Sequence, residues 1–133
     1  MQYITSSPEE TQALAQRLLS SHSQQIWFLK GDLGAGKTTF VKGVGQALGL
    51  SSVEVKSPTF ALVHSYPTWA HYDLYRLESQ DPYILELIEE DFSAGKRLFI
   101  EWPQRLEALE HYPHLTLEFT AQADGTRQIE LLS

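Results

Sequence analysis

Gly31-Asp32-Leu33-Gly34-Ala35-Gly36-Lys37-Thr38 satisfies every fixed position of the phosphate-binding pattern G-x-x-x-x-G-K-[ST]. Each fixed position has a physical task. Glycines let the backbone turn through positive φ and aim successive N–H groups at phosphate oxygens, while the N-terminus of a following helix adds partial positive charge. Lys37 carries a charge that reaches the β and γ phosphates, and Thr38 offers a hydroxyl to Mg²⁺. With glycine at about 7% of residues, a chance match in a chain of this length is on the order of one in a few hundred. The flanks agree with the motif. Ile26-Trp27-Phe28-Leu29 just before it is apolar at every position, as expected of a strand covered on both faces. Phe40, Val41, Val44 and Leu48 after it keep helical spacing up to Gly49, a natural C-terminal stop. Strand, glycine loop and helix together predict nucleotide binding; hydrolysis does not follow from the loop alone.

Outward from the loop, the chain alternates strand and helix patterns. Ser7-Pro8-Glu9-Glu10 combines a Ser N-cap, Pro at the first helical position and Glu three residues on, a capping box that opens a helix through Leu14, Leu18 and Leu19. Thr59 to Tyr66 and Trp69 to Tyr75, divided by a turn near Pro67, read as two strands. Asp81-Pro82 caps an amphipathic helix carrying Ile84, Leu85, Leu87, Ile88 and Phe92, with Gly95 near its end. Leu98-Phe99-Ile100 is a second short apolar strand, and after Pro103 a brief helix carries Leu106 and Leu109. Strict alternation at Leu115, Leu117 and Phe119, then Asp124-Gly125, then Ile129 and Leu131, predicts a C-terminal β-hairpin. The expected class is α/β, a sheet of P-loop NTPase type flanked by helices, as one domain over residues 1–133.

A phosphate-loop site also needs a carboxylate for the Mg²⁺ shell and a group that positions attacking water. Glu101 ends the strand Leu98-Phe99-Ile100, which in a parallel sheet puts it at the carboxyl edge where ligands bind. Asp is the commoner residue there, and the extra methylene of Glu favours contact through water. Asp73, in His71-Tyr72-Asp73-Leu74-Tyr75-Arg76, either reaches the site or pairs with Arg76. Ser57-Pro58-Thr59 is either a turn or a loop whose Thr hydroxyl senses a γ-phosphate. Trp102 directly follows Glu101 and is tied to the site by Pro103. The five histidines lack metal-ligand spacing and read as surface or hydrogen-bonded core residues.

Composition narrows the field further. The chain has 133 residues, 42% hydrophobic and 20% charged, enough for one ordinary core. Ten Lys and Arg against 17 Asp and Glu give a formal net charge of −7, a poor surface for gripping nucleic-acid phosphates without help. The absence of cysteine excludes disulfides, thiolate metal sites and thiol nucleophiles. Apolar runs are far too short for a membrane helix and no signal-peptide pattern opens the chain, so a cytoplasmic location is expected.

Four blocks in order, Gly-Asp-Leu-Gly-Ala-Gly-Lys-Thr-Thr at 31–39, Ser-Pro-Thr-Phe at 57–60, His-Tyr-Asp-Leu-Tyr-Arg at 71–76 and Ile-Glu-Trp-Pro at 100–103, resemble the bacterial TsaE (YjeE) family. The match departs at Ile84 to Glu90, which runs without the glycine often found there. The resemblance implies a small ATPase of tRNA threonylcarbamoyladenosine synthesis, weakly active without two partners. Those partners are a threonylcarbamoyl transferase (TsaD-like) and its paralogue (TsaB-like). It further implies ATP and Mg²⁺ as ligands, with Asp32, Leu33, Gly34, Ala35, Gly36, Lys37, Thr38 and Thr39 around the nucleotide. Thr38 and Glu101 would hold Mg²⁺, while Thr59, Asp73 and Glu101 would surround the reacting γ-phosphate. Trp102 would lie near the nucleotide, Thr11 near its base, and Arg127 would approach from the hairpin. Two other readings use the same loop: a small-molecule kinase with Asp73 as base, and a binding module in which ATP merely sets a conformation.

Overall fold

Two short apolar segments, β2 (Ile26–Lys30) and β6 (Arg97–Glu101), lie side by side and parallel in the computed structural model. Ile26 to Leu29 and Leu98 to Ile100 are all buried, which is why neither segment shows polar alternation. The structure describes residues 1–50, 54–55, 62–77 and 80–132. Among these the other strands are β1 (Gln2–Thr5), β3 (Glu54–Val55), β4 (Leu62–Ser65), β5 (Trp69–Asp73), β7 (Leu115–Ala121) and β8 (Arg127–Leu132). They form one eight-stranded sheet in the order β1-β8-β7-β2-β6-β5-β4-β3. The inner four, β7, β2, β6 and β5, are parallel, and antiparallel pairs extend the sheet at both sides.

Side-chain alternation along the strands assigns each sheet face its own core. Trp27 and Leu29 on β2, Phe99 on β6 and Trp69 on β5 pack beneath α1 (Pro8–Ser21) and α2 (Lys37–Leu48). Ile26 and Phe28, Leu98 and Ile100, and Ala70 and Tyr72 pack instead with α3 (Pro82–Ser93) and Leu106 and Leu109. A buried polar cluster supports the second face. Tyr72 Oη and Ser65 Oγ both donate to the buried Asp91, at 2.6 and 3.2 Å, and Lys96 Nζ sits 3.3 Å from the same carboxylate.

Local chemistry explains the helix starts. Ser7 Oγ accepts from Glu10 N–H at 3.1 Å with Pro8 next to it, and Asp81 accepts from Tyr83 N–H at 2.9 Å before Pro82. The capping box is altered in one respect, since the Glu10 carboxylate accepts from the N–H and hydroxyl of Ser6 rather than from Ser7. Those bonds hold the Glu10 carboxyl below its usual range. The segment after Pro103 differs from the single helix expected. It forms two 3₁₀ turns, Pro103–Arg105 and Glu107–His111, because Leu106 between them is extended at φ −132°. The hairpin of β7 and β8 is present as expected, whereas β1 and β3 carry no alternation long enough to have announced them. Of the expected strand from Thr59 to Tyr66, Leu62–Ser65 forms β4, while Thr59 itself lies outside the described residues.

Candidate functional site

The phosphate loop leaves the carboxyl end of β2, whose neighbours are β7 on one side and β6 on the other, and it feeds the N-terminus of α2. Ligands of open parallel sheets bind at this kind of edge. Gly31, Gly34 and Gly36 all have positive φ. At Gly31 a side chain is excluded twice over, by φ of +146° and by the Phe119 carbonyl oxygen only 2.5 Å from where a Cβ would stand. Lys37 opens α2, but it is not the exposed loop lysine that a surface motif suggests. Only 4% of it is accessible, its Nζ donates to Gly31 O at 2.5 Å, and it lies 4.2 Å from the centre of the Trp102 ring. Burial pulls the Lys37 ammonium below the ordinary lysine range, against the opposing pull of the Glu101, Asp73 and Asp32 carboxylates.

A cleft opens over this loop. Thr11, Leu33, Gly34, Gly36, Lys37, Thr38, Thr39, Asp73, Glu101 and Arg127 all line it. Asp73 and Glu101 are register partners at the ends of β5 and β6, so both carboxylates stand at one sheet edge. They also share a face with Trp69 and Phe99, four and two residues earlier along their respective strands, which is the face covered by α1 and α2. Asp73 Oδ1 accepts from Tyr75 N–H at 3.0 Å. Glu101 is 3% exposed and accepts from His71 Nε2–H through Oε2 at 2.5 Å. Trp102 is the sole non-glycine residue with positive φ among the described residues, at φ 58° and ψ 48°. That backbone costs on the order of 1–2 kcal/mol and is what turns the indole over Lys37, with Tyr75 and Arg105 on its other contacts.

Not every predicted residue faces this cleft. Asp32 and Ala35 line a second hollow across the loop, together with Lys30, Glu118 and Phe119. Trp102 meets the site through Lys37 rather than as part of the cleft wall. The cleft also includes residues that sequence reasoning passed over. Thr5, Ser6, Ser7 and Pro8 form one wall, and Thr5 Oγ1 hydrogen-bonds Thr11 Oγ1 at 2.7 Å with both side chains buried. His71 lies behind the cleft wall as a hydrogen-bonded core residue, in line with the reading of the histidines, but sequence reasoning missed its bond to Glu101. His71 sits two residues before Asp73 on a strand, a same-face spacing that could have flagged it.

A family model described as threonylcarbamoyl adenosine biosynthesis protein TsaE matches residues 5–129, a span that contains all of these side chains. The chain belongs to the TsaE family. A Bacillus subtilis relative named tRNA threonylcarbamoyladenosine biosynthesis protein TsaE is 33% identical over 138 residues, covering 98% of this chain and 83% of its own. A Rickettsia conorii protein of the same name is 35% identical over 136 residues, covering 98% of this chain and 77% of itself. The solved structure of Bacillus subtilis YdiB aligns with a TM-score of 0.67 at 28% identity, over 98% of this chain and 83% of that one. The TsaE match begins at Thr5, the last residue of β1, and ends at Ile129 inside β8, so it takes in the cleft residues from Thr5 to Arg127 but only part of the outer strand pair.

Proposed function

We propose that this chain is the ATP-binding and ATP-hydrolysing subunit required for threonylcarbamoylation of adenosine 37 in tRNA, working as one domain with Mg²⁺. The observation that carries the reading is the convergence of Lys37, Thr38, Asp73 and Glu101 on one cleft in a member of the TsaE family. Relatives named for threonylcarbamoyladenosine biosynthesis support the tRNA end of it.

The residues fit the two ligands. Backbone N–H groups of Gly34 to Thr39 and the start of α2 form a nest for phosphates, and no atom lies within 4 Å of where a Gly34 side chain would project. The Thr38 hydroxyl and Glu101 carboxylate are hard oxygen donors, and Mg²⁺ commonly takes one or two such side chains plus phosphates and water. When bound there, Mg²⁺ would supply positive charge against the developing charge of the phosphates. Lys37 supplies the fixed positive charge beside them. With Asp73 Oδ1 held by Tyr75 N–H, Oδ2 is the atom that orients the attacking water and accepts its hydrogen bond. Thr59, which lies outside the described residues, would sense the γ-phosphate; Thr11 would lie near the base, and Arg127 approaches from the hairpin against Gly36 of the phosphate loop. Asp32, Leu33 and Ala35 shape the loop around the phosphates, and Trp102 braces Lys37.

The transfer chemistry and the basic surface for tRNA belong to a TsaD-like transferase and its TsaB-like paralogue, with the three acting in the cytoplasm. Hydrolysis resets that assembly between turnovers. Phosphate release should be slow from this chain alone and rise when the pair is added, and depletion should remove threonylcarbamoyladenosine from tRNA hydrolysates analysed by mass spectrometry. Normal modification together with partner-independent hydrolysis would overturn the assignment.

A further inference from the structure

We propose that His71 is a positioning residue that fixes the rotamer of Glu101 and keeps that carboxylate apart from Lys37. The inference rests on the reading of Glu101 as the Mg²⁺-side carboxylate and adds a residue to it. A buried carboxylate and a buried ammonium lining one cleft are expected to close on each other, since attraction between opposite charges grows as water is excluded. Here they do not. Among the described residues the side-chain hydrogen-bond partner of Glu101 is His71, at 2.5 Å, while Lys37 Nζ donates to Gly31 O and lies against Trp102. Such a direct pair would consume both groups before a ligand arrived.

The placement of His71 explains how closure is avoided. Its register partner on β6 is Phe99, one same-face step before Glu101, so its ring reaches the carboxylate diagonally across neighbouring strands. His71 is itself 9% exposed, with the His64 ring lying nearly parallel at 6.2 Å, so it has little room to swing. One carboxylate oxygen, Oε2, is thereby committed to the protein, which leaves Oε1 for the metal side of the cleft. A Glu spans these two duties better than the commoner Asp, because the additional methylene carries the carboxylate back toward His71 while it still lines the cleft. Groups that orient a metal-side ligand commonly change metal affinity by about 10–100-fold when removed.

Two substitutions at one position separate positioning from mere filling of space. The amide nitrogen of His71→Gln stands about where Nε2 stands, whereas that of His71→Asn stops near Nδ1 and falls short of Glu101. Fluorescence titration of a labelled ATP analogue at rising Mg²⁺ gives both nucleotide affinity without metal and the Mg²⁺ concentration for half-maximal tightening. His71→Asn should keep the first and raise the second about tenfold, while His71→Gln should hold both within about twofold. Equal Mg²⁺ requirements in the two variants overturn the inference. Glu101→Gln is measured beside them: if it leaves the Mg²⁺ requirement unchanged, the reading of Glu101 fails, and if it alone raises the requirement, only the role of His71 fails. Should His71→Asn not fold, imidazole NMR of the wild-type chain decides. A slowly exchanging His71 Nε2–H resonance that persists with Mg²⁺ and ATP bound supports the proposal, and its loss on binding overturns it.

Discussion

Lys37 shows how a functional charge can oppose folding. Its ammonium is almost fully enclosed, and burial lowers its pKa despite three carboxylates nearby. Because the folded chain binds this proton less tightly than the unfolded chain does, the group costs stability at neutral pH. That cost fades as pH rises from the depressed pKa toward the ordinary lysine value. Lys37→Met, which keeps the aliphatic stem, should therefore leave the melting temperature of the nucleotide-free protein unchanged or higher at pH 7. It should weaken ATP binding by at least tenfold, as expected from losing charge-assisted bonds worth about 1.5–3 kcal/mol. Calorimetric titration beside a thermal melt checks both halves, and a destabilised variant with normal affinity would return Lys37 to a packing role. Glu101→Gln is the complementary case. It preserves shape and an acceptor for His71, so ATP should still bind, while Mg²⁺-dependent phosphate release in the reconstituted assembly should fall by roughly two orders of magnitude.

At the scale of elements, the site depends on how closely α1 and α2 approach. Gly43 lies inside α2, where Ala would normally gain about 1 kcal/mol of helix propensity. A Cβ there would stand 2.6 Å from the Gln12 carbonyl oxygen and 2.9 Å from the Ala15 Cβ, both on α1. Backbone cannot yield as a flexible side chain does, so the two helices must part. Overpacking of this kind costs about 1–3 kcal/mol, which outweighs the propensity gain. Gly43→Ala should lower the melting temperature by several degrees, and a rise would show that α1 and α2 are less tightly apposed. Since α1 carries Thr11 and α2 carries Thr38 and Thr39, the same substitution should weaken nucleotide binding without touching the cleft. The glutamine ladder across these helices, Gln16 to Gln46 at 2.9 Å and Gln46 to Gln12 at 2.8 Å, is exposed and adds little beside that contact.

The whole molecule carries a formal charge of −7, and its cleft gathers cations for one nucleotide rather than for a polynucleotide backbone. Binding to nucleic acid at physiological salt is dominated by Lys and Arg neutralising phosphates. The isolated chain should therefore bind tRNA no more tightly than about 10⁻⁴ M at that ionic strength, in a filter or gel-shift assay, with or without ATP. Tight binding by the chain alone would mean that a basic face forms in solution and would remove the need for partners to supply one. No helix among the described residues is long and apolar enough to cross a membrane.

Much of this molecule follows from local chemistry. The phosphate loop, the buried strand before it and the helix after it follow from glycine conformational freedom and from apolar runs too short for anything but a covered strand. Ser7-Pro8 and Asp81-Pro82 start their helices through bonds that span three residues or fewer, and Asp124-Gly125 turns the hairpin. Other features exist only once distant segments meet. Strand β1 has four residues and little pattern of its own, and it is a strand because β8, more than 120 positions away, offers it hydrogen-bonding partners. Only that pairing brings Thr5 to the cleft wall beside Thr11. The burial of Lys37 and the bond from His71 to Glu101, 30 positions apart in sequence, likewise arise from the order in which β5, β6 and β2 stand in the sheet. Residue types and spacing determined which groups this chain has to offer a phosphate. Strand order decided which of them face one another, because contacts between remote segments leave no periodic trace in either segment alone.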